Sequence, residues 1–420
     1  MNQISLGDDR VASYYAKFII ITYTLIGFFE KIHSIVDVIL VLDGIVTVFA
    51  LLFITFWFYS RKRFPCNFGS VSLVTMTFFI LFSSLVGGSD LERFSVSGFA
   101  IVETWALILA FIEIKKDMHD IFLYFSIFAV VFSFIYSIFG LVQGIESEEI
   151  RFSGLSDQSN SLGVMAALSI ILCMMNIRKW KRVDATVVWN IFTIGLIPFF
   201  LYILWKSDSR TSLFALVVSC LFIVIVALLF LYKRTKAFWA FIPALCVVVA
   251  ALIFILSGDR STSSYTLDKL SSGRTIIWRE TFESMDIEEY ILGFSGNSKK
   301  MVEKLEANEA SSVTLVNQGE RHLAHNMYLG VFFEYGIIAA LSFIVGWLWI
   351  MGRGLGYMKG EKKWALREVF ASLSILSFFI IHALAESSIY FIGGAEQLLF
   401  IMSISAIYSI TVAKRRKYNE

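Results

Sequence analysis

Apolar residues run through this 420-residue chain in long blocks separated by short charged links. A helix rising 1.5 Å per residue needs about 20 such residues to cross a hydrocarbon core about 30 Å thick. On that measure the pattern predicts spans at 12–30, 36–59, 69–87, 95–113, 120–143, 161–177, 185–205, 211–232, 237–257, 323–351, 367–386 and 393–413. The first is the weakest. Its uninterrupted core runs only from Phe18 to Phe29, so Lys17 must snorkel and Val11 to Ala16 must complete it. It has no small-residue cleavage site before His33, which argues against a removable signal peptide. Residues 1–256 would thus hold spans one to nine, 257–322 a long loop, and 323–420 spans ten to twelve with a tail.

The long loop changes the pattern from continuous to periodic. After Ser271-Ser272-Gly273, the residues Ile277, Trp278, Thr281, Phe282 and Met285 form one apolar stripe at helical spacing, predicting a helix from Arg274 to Met285. Leu292-Gly293-Phe294-Ser295-Gly296 reads as a turn. Asn297 then caps a short helix through Leu305, with Met301, Val302 and Leu305 on one side. Gly352-Arg353-Gly354-Leu355-Gly356 follows no strand, so it is no dinucleotide motif and reads as a flexible connection.

Composition sharpens the class. With 57% hydrophobic residues, 17% charged residues and a mean hydropathy of +0.72, the chain departs from the soluble average of about 45–50% apolar and about 25% charged. Only three prolines interrupt runs rich in Phe, Ile, Leu and Val, whereas a β-barrel would need short alternating segments and many turns. The expected fold is all-α: a polytopic membrane protein with about 12 transmembrane helices. Four cysteines show no metal-ligand spacing and no disulfide framework.

The net charge of +2 says little, but its placement predicts orientation. With both termini cytoplasmic, 23 of the 36 Lys and Arg residues fall inside, eight fall in the long outer loop and five in the short outer loops. Short loops decide orientation, so the long loop is expected outside. The basic residues are accounted for by this rule, and nucleic-acid binding has no support.

That topology gathers Arg151, Arg210, Arg274 and His325 on the outer side. Guanidinium groups hold phosphate oxygens through paired hydrogen bonds and keep their charge, so the cluster suggests an anion site. Each has a plainer reading. Arg151 and Arg210 would also serve as interfacial anchors, Arg274 would pair with Glu280 or Glu283, and His325 could be a structural histidine. His322 and His325 lack the third ligand of a metal motif. Glu334, nine residues into its span and roughly 13 Å deep, is a functional candidate or a helix-to-helix tie. Glu103 has the same ambiguity.

In order along the chain, Arg151-Phe152-Ser153-Gly154, Asn160-Ser161-Leu162-Gly163, Ser209-Arg210-Thr211, Ser272-Gly273-Arg274 with Trp278, and His325-Asn326-Met327-Tyr328-Leu329 with Glu334 and Gly336 resemble the O-antigen ligase and polymerase superfamily. The twelve spans and the long loop between spans nine and ten also match it. The resemblance implies a glycosyltransferase C-like fold and a metal-independent, inverting glycosyltransferase at the outer face of the bacterial inner membrane. Its donor would be an undecaprenyl-diphosphate-linked oligosaccharide, and its acceptor a glycan or glycolipid. Membrane lipids and a chain-length regulator protein would be further partners, with no cofactor. The family's essential arginines correspond to Arg210 and Arg274, its histidine to His325, and a further basic position to Arg151; Trp278, Asn326 and Tyr328 would join substrate binding, with Glu334 in support.

Arginines placed where charge grows on a departing diphosphate would stabilise it, and an imidazole with an ordinary pKa of about 6.5 suits the acceptor hydroxyl. Both family branches use this chemistry. We expect a polymerase, because nothing in the loop marks a lipid A-core docking surface, with a ligase as the alternative. A transporter or flippase would be expected to show internal repeats and mid-membrane charges on broken helices, whereas the candidates cluster at helix ends.

Overall fold

A computed structural model describes residues 5–29, 36–61, 68–86, 91–114, 118–146, 159–176, 185–226, 228, 274–294, 298–308, 326–359, 366–384, 386 and 395–416. Among them there is no strand, and the chain is an all-α polytopic membrane protein. The first eight predicted spans correspond to α1 (Ser5–Phe29), α2 (Val36–Arg61), α3 (Phe68–Val86), α4 (Leu91–Glu113), α5 (Met118–Glu146), α6 (Ser159–Asn176), α7 (Ala185–Lys206) and α8 (Arg210–Val226). The predicted span at 237–257 lies outside the described residues. The predicted long loop carries α9 (Arg274–Ser284), α10 (Ile287–Leu292) and α11 (Ser298–Ala307), and the last three predicted spans correspond to α12 (Met327–Lys359), α13 (Leu366–His382) and α14 (Ala395–Arg416).

Two helices form the centre. Every residue from Leu162 to Met175 on α6 and from Glu368 to Phe379 on α13 is buried. A helix apolar on all sides needs neighbours on all sides. For α6 these are α5, α7, α8 and α13; for α13 they are α6, α8, α12 and α14. Peripheral helices instead turn large apolar groups outward, including Val48 and Leu52 on α2, Ile191 on α7 and Leu348 on α12. Apolar surface spread over several helices is the surface that lipid covers. Between α2 and α4, Thr47 donates to the buried Glu103 carboxylate at 2.8 Å and the Trp57 indole donates to Glu113 at 3.2 Å. Glu103 thus ties these helices together.

Helix α12 departs from its prediction in two ways. It continues through Gly352 to Gly356 and ends at Lys359, so the expected flexible connection is helical. Glycine costs a helix about 1 kcal/mol relative to alanine, but here it admits a neighbour. A Cβ on Gly354 would lie 2.7 Å from the Leu373 Cδ2 on α13, and Tyr357 and Met358 beyond it are buried. The second departure is a break at Gly336, where φ is 81° and ψ is 178° inside the helix.

Candidate active site

Helices α7 and α8 meet in a tight turn, Ser207-Asp208-Ser209, and Arg210 follows as the first residue of α8. Asp208 adopts φ 48°, a left-handed conformation that a short polar side chain tolerates better than most. The Arg210 side chain is 82% exposed, with Nε 3.7 Å from the Asp208 carboxylate. Beneath it the serines are buried. Ser209 donates to Ser212 at 2.9 Å, and Ser207 donates to the Leu204 carbonyl at 2.8 Å. Helix α6 reaches this turn because Gly163 has no side chain: a Cβ there would lie 2.4 Å from Ser209 Cβ and 3.0 Å from Ser207 Oγ.

The last turn of α13 joins the remaining segments. The four final carbonyls of a helix lack intrahelical donors and must find others. Here the Tyr328 hydroxyl donates to the Ile380 carbonyl at 2.9 Å, and just past the helix end the Met327 N–H donates to the Ala383 carbonyl at 2.9 Å and Asn326 Nδ2 to that of Leu384 at 2.7 Å. Asn326 Oδ1 also accepts the Leu329 N–H at 3.0 Å, capping α12. On the same turn, His382 is fully buried, its ring stacked on Phe378 and its Nε2 3.3 Å from Ser212 Oγ. Asn160, opening α6, donates to Glu386 at 3.0 Å.

The loop is docked at the break in α12. Gly293, at φ 70°, and Gly336 interlock: a Cβ on Gly293 would lie 2.4 Å from the Tyr335 N, and one on Gly336 would lie 1.9 Å from the Ile291 carbonyl oxygen. The Phe294 N–H donates to the Phe333 carbonyl at 2.6 Å. Ser83 on α3 donates to the Leu292 carbonyl and lies 3.5 Å from that of Glu334. Phe282 stacks on Phe332 at 5.4 Å and meets Phe333 edge-on at 5.0 Å, while Ile277, Thr281 and Met285 are buried. The predicted stripe is therefore the docking face of α9.

Helix α10 was not expected. Its sequence signal is the Asp286-to-Glu289 spacing of a capping box, and the Asp286 N–H donates to the Glu289 carboxylate at 2.9 Å. Glu289 is buried, and Lys300 and Lys304 from α11 pair with it, Lys304 also donating to Asp286 at 2.6 Å. Burial opposes the charge on Lys304, but hydrogen bonds to Asp286 and Glu289, with the attraction of those carboxylates, raise its pKa above the usual lysine value.

Of the predicted site residues, Arg210 is exposed at the head of α8 and Arg274 is the first residue of α9. Asn326 is buried and Tyr328 half-buried, both tied to the end of α13. Trp278 is half-buried against the apolar core, and Glu334 is half-buried beside the break in α12. Arg151 and His325 lie outside the described residues. His382, Ser212 and Glu386 were missed, although each is a polar residue near the end of an apolar run.

Residues 199–344 match a family model described as O-antigen ligase. The match takes in α8, the loop helices and the break in α12. Among curated proteins, none matches the chain.

Proposed function

From a chain whose residues 199–344 place it in the O-antigen ligase and polymerase superfamily, we propose a surface-polysaccharide polymerase. Membership gives a glycosyltransferase-like enzyme of the O-antigen ligase and polymerase type, acting on lipid-linked glycans among membrane lipids. The finer reading is that it moves glycan from an undecaprenyl-diphosphate donor to the end of another repeat unit, at the outer face of the inner membrane, with both termini cytoplasmic and no resident metal. Arg210 and Arg274 stabilise the negative charge that grows on the departing diphosphate as the glycosidic bond breaks. His325 takes the proton of the attacking acceptor hydroxyl, and inversion follows from attack opposite the leaving group.

One observation supports this most. Three of the sequence segments that resemble the family meet at the end of α13: Asn160 through Glu386, the Arg210 turn through Ser212 and His382, and residues 326–328 through the last carbonyls. An exposed cation thus heads a helix whose first turn, like residues 326–328, is bonded to the end of α13, an arrangement suited to preorganised charge stabilisation.

The purified protein given only lipid-linked repeat units should form a ladder of longer lipid-linked chains, weakened by Trp278→Ala. A strict requirement for a separate acceptor glycolipid would make it a ligase, the activity in the family description.

A further inference from the structure

We propose that His382 is a positioning residue for Arg210. It acts through Ser212 and Ser209, and the inference rests on the reading of Arg210 as a diphosphate-binding group. His382 ends α13, buried completely, with its ring parallel to Phe378 within 16° at 5.4 Å between centroids. That stacking leaves the ring edge to meet Ser212 Oγ, 3.3 Å from Nε2. Ser212 already accepts the Ser209 hydroxyl at 2.9 Å. Its own hydrogen is then available to Nε2, an arrangement that suits a neutral ring.

The chain His382, Ser212, Ser209 brackets Arg210 in sequence, with Ser209 just before α8 and Ser212 in its first turn. Ser209 also gives its carbonyl to the Leu213 N–H at 3.0 Å, so the same residue fixes the first turn of the helix. Asp208 before it holds a left-handed φ that surrounding contacts must sustain. Buried polar groups are costly unless paired, and an apolar side chain in the place of His382 would leave Ser212 without this contact. At the same end of α13 and in the two residues after it, the carbonyls of Ile380, Ala383 and Leu384 hold Tyr328, Met327 and Asn326. One turn of backbone therefore sets the Arg210 turn and the residues after His325 in a common frame. Without the imidazole, the Arg210 turn loses its hydrogen bond to that frame, while residues 326–328 keep theirs.

The test uses the full chain in liposomes. His382→Leu and Ser212→Ala should each lower kcat for transfer by about 10- to 100-fold, with a smaller change in donor KM, as expected when a charge is displaced by about 1 Å. His382→Gln, which returns a polar group near the Nε2 position, should recover most of the rate. Combining His382→Leu with Arg210→Lys should cost little beyond Arg210→Lys alone, because both act on one interaction. Additive losses, or full activity of His382→Leu, would overturn the proposal. If Arg210→Lys itself keeps full rate, the role of Arg210 fails instead.

A substrate-independent measurement decides the matter even where transfer cannot be followed. A nitroxide label at Arg210→Cys should gain mobility in the His382→Leu background and not in His382→Gln. Identical spectra in all three backgrounds would show that His382 does not hold this turn.

Discussion

Gly336→Ala tests whether the loop is locked to the membrane bundle or merely rests on it. The added Cβ would sit 1.9 Å from the Ile291 carbonyl oxygen, 2.4 Å from its carbon and 2.8 Å from the Leu292 nitrogen. All three are backbone atoms, so no side-chain rotation relieves the clash. Alanine must also adopt φ 81° with ψ 178°, a region kept almost wholly for glycine, at about 1–3 kcal/mol. Moving the turn away breaks the bonds to the Phe333 carbonyl and from Ser83, each worth about 0.5–1.5 kcal/mol. Together the docked loop loses about 2–6 kcal/mol. Limited proteolysis between α9 and α12 in nanodiscs, with thermal unfolding beside it, measures the effect. Gly352→Ala is the control, since it lies in the same helix with nothing within 4 Å of a new Cβ. Cleavage should speed at least tenfold for Gly336→Ala and stay unchanged for Gly352→Ala. Equal protease resistance and equal Tm in the two variants would refute the interlock.

Gly163→Ala should displace the Ser207-to-Ser209 turn, because its Cβ would lie 2.4 Å from Ser209 Cβ, and transfer should fall while Arg210 is intact; a fully active variant would show that the turn tolerates the shift. The ion pairs of Lys304 have a defined pH dependence. Its folded pKa is raised, so their stabilisation is fully present below the ordinary value of 10.5 and disappears as pH rises through the folded value. Protease resistance of α10 and α11 should therefore be flat at neutral pH and fall only in strong alkali, whereas Lys304→Met should be cleaved faster throughout; a neutral-pH onset that depends on Lys304 would contradict this.

Eleven of the twelve predicted spans have helices because lipid-facing and core-facing positions are both apolar, leaving long runs that need no tertiary knowledge to read. The α9 stripe was equally legible, since a buried helical face leaves a 3.6-residue period. What was not legible depends on close approach. Gly336 looks like any glycine in a span until Ile291 is seen against it, and Gly352 to Gly356 looks like a linker until α13 packs on Gly354. His382 lies 170 residues beyond Ser212, and local pattern carries no signal of that pairing. Asp286 and Glu289 did carry one, in their capping spacing, close before the glycines of the turn that follows.

The hydrogen bond between Asn160 and Glu386 spans 226 residues of chain. At a synthesis rate of about 5–20 residues per second, α6 waits roughly 11–45 s in the bilayer before its partner has been made. The turn beneath Arg210 waits almost as long for His382. A nascent chain thus displays its cation at the membrane well before the frame that aims it exists. Termination before the end of α13 leaves that frame unbuilt, so the Arg210 turn and residues 326–328 gain their common support only once α13 has been inserted.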